Sequence, residues 1–179
     1  MSETLPVFLE PWRFSDLAKQ FSGDVPLAEM PRLGEAVMRL DGDARYVLRF
    51  HRDERRRIRI SGQVSASAVL TCQRCLGEVG YRLAGEIALV AVEGPTEMAQ
   101  LPEDVEPLLL QAGERRRSLE LIEDELLLAL PQIARHDDTA CAGEAAPHAA
   151  SKIEPSESRE GGDKRDNPFA KLADLKRPG

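Results

Sequence analysis

Arg45-Tyr-Val-Leu-Arg-Phe50 and Arg55-Arg-Arg-Ile-Arg-Ile60, joined by His51-Arg-Asp-Glu54, decide the fold. In the first run Tyr46, Leu48 and Phe50 share one face and Arg45 and Arg49 the other. In the second, Ile58 and Ile60 oppose Arg55, Arg57 and Arg59. A period of two marks strands with one buried face. The polar residues between the runs suit a turn, so the pair reads as an antiparallel hairpin, apolar on one side and arginine-bearing on the other. The alternation then continues. Val64, Ala66, Ala68, Leu70 and Cys72 alternate with Gln63, Ser65, Ser67 and Thr71, and Val79, Tyr81, Leu83, Ile87 and Leu89 follow. Four or five strands in succession predict an antiparallel sheet, either a meander or a partial β-barrel.

The flanks make the class α+β. Phe14, Leu17 and Phe21 stand at helical spacing, which predicts a short N-terminal helix over about Ser15 to Phe21. The proline-containing run Leu27 to Leu33 reads as an extended connector, and Gly94 to Pro107 as a loop. Leu108 to Leu110 reads as a short strand. One longer helix is expected over Leu119 to Leu130, with Ser118 as its N-cap and Pro131 as its stop. Glu120, Glu123, Asp124 and Glu125 suit the positive end of its dipole. Residues 1–136 therefore form the expected core domain. Residues 137–166 hold a single large aliphatic, Ile153, too little to offset ordering entropy, and read as a disordered linker. Residues 167–179 recover a pattern: Asn167 caps, Pro168 starts, and Phe169, Leu172 and Leu175 share a face. They read as an amphipathic interaction motif that engages a protein partner.

The chain has 179 residues and a net charge of −7, and the charge is segregated. Between Arg45 and Arg59 seven arginines face two acids. An arginine cluster on one surface is the footprint expected for phosphate backbones, although charge runs more often keep a sheet face solvated. The longest apolar run, Ile87 to Val92, is far short of the ~20 residues that span a bilayer. No secretory signal opens the chain, and three cysteines are too few for a secreted disulfide scaffold. A soluble cytoplasmic protein without a membrane partner is the expectation.

Cys72-Gln-Arg-Cys75 lies at a turn between two expected strands. Such a pair places two thiolates for one tetrahedral ion. His136 and Cys141 are the pair that could complete the set. No cofactor is demanded by the sequence, and one structural zinc on Cys72, Cys75, His136 and Cys141 is the candidate. Thioredoxin-like use would need a helix N-terminus in a βαβ setting, which the flanking alternation does not offer. Two small half-buried thiols packed in a turn are the simplest alternative. The nucleophile-elbow, phosphate-loop, dinucleotide and zinc-protease motifs are all missing, and the chain reads as a non-enzyme.

Three stretches together carry a resemblance. They are Leu70-Thr71-Cys72-Gln73-Arg74-Cys75-Leu76, then Glu123-Asp124-Glu125-Leu126-Leu127-Leu128-Ala129-Leu130-Pro131, and Asn167-Pro168-Phe169-Ala170-Lys171-Leu172-Ala173-Asp174-Leu175-Lys176. In this order, separated by an acidic insert and a polar tail, they resemble the bacterial YceD family. The resemblance spans nearly the whole chain, is weakest over residues 1–60 and is most specific in the terminal stretch. It implies support for 23S ribosomal RNA synthesis, processing or accumulation, and so for large-subunit assembly. It brings no established catalytic residue. Ribosomal RNA or a large-subunit precursor is then the expected partner, with Arg45, Arg49, Arg55, Arg57 and Arg59 facing phosphates. A protein–protein adaptor acting indirectly on that RNA, and a zinc- or thiol-linked regulator, are the alternatives.

Overall fold

In the computed structural model, residues 4–111, 114–137 and 141 are described, and they all belong to a compact unit spanning Met1–Ala145. A second unit, Ala146–Gly179, lies outside the described residues, as do the terminal motif and nearly all of the expected linker. The frame is a hairpin of two long strands, β4 (Ile58–Thr71) and β5 (Glu78–Val92), paired from Ile58 opposite Ala91 to Thr71 opposite Glu78. On the other side of β4 lie β3 (Asp43–Arg52) and, further along, the two-residue β2 (Arg39–Leu40). Strand β1 (Gln20–Pro26) pairs antiparallel with β3 and forms one edge. Strand β6 (Glu106–Leu109) forms the other edge and runs parallel to β5. A parallel neighbour needs a crossover, and the segment after Val92, with a turn of helix α3 (Pro95–Met98), supplies it. The six-stranded sheet is thus mixed and open rather than closed into a barrel.

The alternation read from the sequence sorts residues onto two faces as expected. Tyr46, Leu48, Phe50, Ile60, Val64, Leu83 and Ile87 are buried on the inner face. Helices α1 (Pro11–Asp16), α2 (Pro31–Ala36) and α4 (Ser118–Leu128) bring Phe14, Leu33, Leu121, Ile122 and Leu126 against them. Phe14, Phe21 and Phe50 meet edge to face with centroids 5.1 to 5.8 Å apart. Such contacts add about 0.5–1.5 kcal/mol per pair beyond burial. Arg45, Arg49, Ser61, Ser65, Arg82 and Glu86 lie on the opposite face, by the register of β3, β4 and β5.

Several local expectations need correction. The N-terminal helix is Pro11–Asp16, not Ser15 to Phe21. Pro11 fixes its first turn, Ala18 turns the chain with φ of 45°, and Phe21 reaches the core from β1 instead. Leu27 to Leu33 is not extended: a 3₁₀ turn at Leu27–Glu29 runs into α2, burying Leu27, Met30 and Leu33 at every third residue. Ser118 is not an N-cap. Arg117 occupies that position, and the Ser118 hydroxyl is buried without a hydrogen-bond partner among the described residues. The entry to α4 is held by backbone bonds, Ser118 N–H to the Val7 carbonyl (3.0 Å) and Leu9 N–H to the Arg116 carbonyl (2.9 Å). Glu123 and Asp124 are ion-paired as well as near the dipole. The Arg32 guanidinium donates to Glu123 at 2.8 Å and to Asp124 at 2.6 Å, and Arg116 donates to Asp124 at 2.5 Å. That fork latches α2 to α4.

Candidate metal centre

The turn between β4 and β5 is built from its own backbone. Cys72 N–H donates to the Gly77 carbonyl at 2.8 Å, and Leu76 N–H to the Cys72 carbonyl at 2.9 Å. Leu76 takes φ of 62°, which closes the turn and leaves both thiols on one side. After α4 the chain returns to this turn along two ties. Gln73 N–H donates to the Ala134 carbonyl at 2.8 Å. The Tyr81 hydroxyl donates to the Arg135 carbonyl at 2.8 Å and accepts from Arg135 N–H at 2.9 Å. These ties deliver His136 and then Cys141 to the two thiols.

The donor atoms of Cys72, Cys75, His136 and Cys141 all lie within 4.8 Å of one another. Cys72 Sγ is 3.4 Å from Cys141 Sγ, and Cys75 Sγ is 3.6 Å from His136 Nδ1. A tetrahedral ion with bonds of ~2.3 Å to sulfur and ~2.0–2.1 Å to nitrogen needs edges of roughly 3.5–3.8 Å. The set fits. The other imidazole nitrogen sets the tautomer of the ligating ring: His136 Nε2 lies 2.9 Å from the Glu78 carbonyl, which only accepts, so Nε2 keeps its proton when Nδ1 gives its own up to a metal. Nδ1 is left to face the sulfurs.

Leu70, Val79 and Ala134 surround the buried Cys72 and Cys141. Burial pushes the Cys72 thiol up, but N–H groups of Cys75 and Arg74 outweigh it and bring it to about 5. His136 is raised to about 9, first by its bond to Cys141 and then by Cys72. Cys141 is lowered, first by the guanidinium of Arg74, whose Nε donates to its sulfur at 3.1 Å. The Gly77 N–H would lower the Cys75 thiol, but its bonds to Cys141 and burial outweigh that and raise it. The metal-free cluster therefore favours thiolate at Cys72 and Cys141 and must shed protons from Cys75 and His136 when an ion binds. Cys72, Cys75 and Cys141 are free thiols.

The five arginines singled out by the alternation do not form one group. Arg45 and Arg49 are exposed on the outer face, Arg45 bonded to Asp24 at 3.1 Å and Arg49 to Gln20 at 3.2 Å. Arg55 is exposed at the turn. Arg57 and Arg59 instead converge on Asp53, at 2.7 and 3.4 Å, and are partly buried. Sequence reasoning missed two residues. Arg82 stands on the outer face opposite Ser67, and period two alone, between Tyr81 and Leu83, would have placed it there. Arg74 at the metal cluster had no such signal, because its direction depends on the turn. The candidate partner residues Asn167, Pro168, Phe169, Leu172 and Leu175 lie outside the described residues.

The family model described as Large ribosomal RNA subunit accumulation protein YceD matches residues 60–176. The chain belongs to the YceD family. A relative from Haemophilus influenzae with that same name is 29% identical over 172 residues, covering 96% of either chain. No solved structure matches. The YceD match takes in all four metal-site residues and the terminal N-P-F-A stretch, and it begins just after Arg59.

Proposed function

We propose that this protein is a non-catalytic cytoplasmic factor that supports 23S ribosomal RNA synthesis, processing or accumulation, and so large-subunit biogenesis. Membership of a family named for accumulation of that RNA carries the reading. Its outer sheet face contacts phosphates of ribosomal RNA or of a large-subunit precursor through Arg45 and Arg49, with Arg55 from the adjoining turn. Among the described residues that face presents no Phe, Tyr or Trp for base stacking, only His51 at the end of β3, which fits backbone contact rather than sequence reading. One zinc sits on Cys72, Cys75, His136 and Cys141 and closes the segment after α4 onto the β4–β5 turn. It supplies structure, since four protein ligands leave no open position for chemistry. No helix among the described residues is long and apolar enough to cross a membrane.

Sucrose-gradient sedimentation of the tagged protein from growing cells tests the reading. Co-migration with immature large subunits is expected. A second reading, a protein–protein adaptor working through Phe169, Leu172 and Leu175, is favoured by the net charge of −7 and the ion pairing of the arginines. Protein that stays at the top of the gradient while its loss still lowers 23S RNA would select the adaptor.

A further inference from the structure

We propose that Arg74 is the charge-balancing residue of the metal centre, fixing the Cys141 thiolate and slowing loss of the ion; this rests on the zinc reading above. Three thiolates and a neutral imidazole around a dication sum to one negative charge. Around it, the sulfur of Cys141 is buried and the wall is Leu70, Val79 and Ala134. An uncompensated anion there is costly on the Cys72 and Cys141 side, where both sulfurs are buried, while Cys75 and His136 are half-exposed. The Arg74 guanidinium supplies one positive charge, and its Nε donates to Cys141 Sγ at 3.1 Å. Other nearby charges do not replace it. The Glu78 carboxylate adds negative charge and faces Arg39 at 3.9 Å, while Arg39 also bonds Asp41. Arg135 is engaged at this site through its backbone, on Tyr81.

The consequence concerns the bond most exposed to loss. The Cys141 sulfur is held by what it touches. Among those contacts are Cys72 Sγ at 3.4 Å, the other ligands Cys75 and His136, and Arg74 Nε, the one charged group that is not itself a ligand. An N–H donor on a ligating sulfur withdraws charge from it and fixes its orientation toward the ion. Without that donor the sulfur loses its 3.1 Å anchor and its charge balance, and departure of the metal becomes easier. Arg74 itself is exposed, so its replacement leaves the hydrophobic core intact.

The test uses the full chain loaded with zinc, in parent form and as Arg74→Gln, Arg74→Ala and Arg74→Lys. Zinc transfer to an excess of a chromophoric chelator is timed, and the cobalt-substituted proteins are examined for the thiolate-to-metal charge-transfer band. Transfer about tenfold or more faster in Arg74→Gln and Arg74→Ala is expected, the usual scale for losing an outer-shell partner. The cobalt band should move to longer wavelength in both, since a sulfur relieved of its donor gives up charge more readily. Arg74→Lys should restore most of the slow transfer, because it keeps the charge. Rates within about twofold of the parent with an unmoved band would overturn the proposal. So would Arg74→Lys behaving like Arg74→Gln. A parent chain that retains no stoichiometric zinc fails at the metal itself and overturns the underlying reading as well.

Discussion

Each ligand of the metal cluster is held by a different local device, so the four should fail differently when changed. Cys72 is fully buried, follows directly on β4 and accepts N–H groups from the turn, which makes it the candidate ligand least replaceable by water. Cys72→Ser should abolish stoichiometric zinc in metal analysis. If the ion is bound at ~100 times its dissociation constant, its loss removes about 2.7 kcal/mol, or roughly 10 °C in thermal midpoint. A chelator should bring the parent to the same midpoint and leave the variant unmoved. Asp53 is the second residue that organises its surroundings. It accepts the backbone N–H groups of Arg55 and Arg57, both at 2.9 Å, and binds two guanidinium groups. Burial would raise its carboxyl, but the donation from Arg57 outweighs it and the folded value is lowered. Its stabilisation is therefore present above the unfolded carboxyl pKa and is lost as pH falls through the folded one. Asp53→Ala should cost about 1–3 kcal/mol near neutral pH, and its difference from the parent should shrink in urea titrations at acid pH. The Cys-x-x-Cys spacing was enough to nominate the first two metal ligands, and composition the other two, since few His and Cys remain. Arg74 was not legible, because nothing in a local pattern says which way a turn residue points.

At the scale of elements, the strands from Asp43 to Leu89 were legible because each has one buried face and one more open face, and alternation is all that such a strand requires; only the end of β5, Val90 to Val92, is buried on both faces. Strand β1 was hidden for the complementary reason. It is an edge strand with only Phe21 buried, and Phe21 also completes a false helical spacing with Phe14 and Leu17. The α2 segment was hidden by its prolines, which suggest extension unless one of them sits at a helix start, as Pro31 does. Glycine positions within the strands carry the sharpest test of the pairing. A β-carbon at Gly62 would collide with the Val47 carbonyl and crowd Leu48 across the β3–β4 ladder. Gly62→Ala should lower stability by about 3 kcal/mol or so in chemical denaturation, since backbone rather than a side-chain tip must give way. Gly80 on β5 has nothing within 4 Å of such a carbon and a φ open to any residue, so Gly80→Ala should be neutral or gain a few tenths of a kcal/mol. Equal losses at the two sites would contradict the register.

Over the whole molecule, an acidic chain with an arginine-bearing sheet face must bind an anionic partner through local field rather than net charge. At physiological salt the screening length is about 8 Å, so the outer face acts on phosphates lying against it while the acids elsewhere are largely screened. Helices α1, α2 and α4 all cover the inner face, and among the described residues Arg45, Arg49 and Arg82 stay exposed on the other. The arginines on that face are not equal. Arg57 and Arg59 stabilise the turn through Asp53, so reversing them confounds binding with folding. Arg45, Arg49 and Arg82 are exposed, and Arg82 has no acidic partner among the described residues. The triple change of these three to Glu should leave thermal unfolding within a few degrees of the parent. It should weaken retention of a 23S ribosomal RNA transcript in filter binding. The slope of log K against log salt should flatten by about 2–3, since each phosphate contact contributes roughly 0.7–0.9. An unchanged slope with an intact fold would make the arginines a solubility feature of an open sheet, and the action on ribosomal RNA would then have to run through a protein partner.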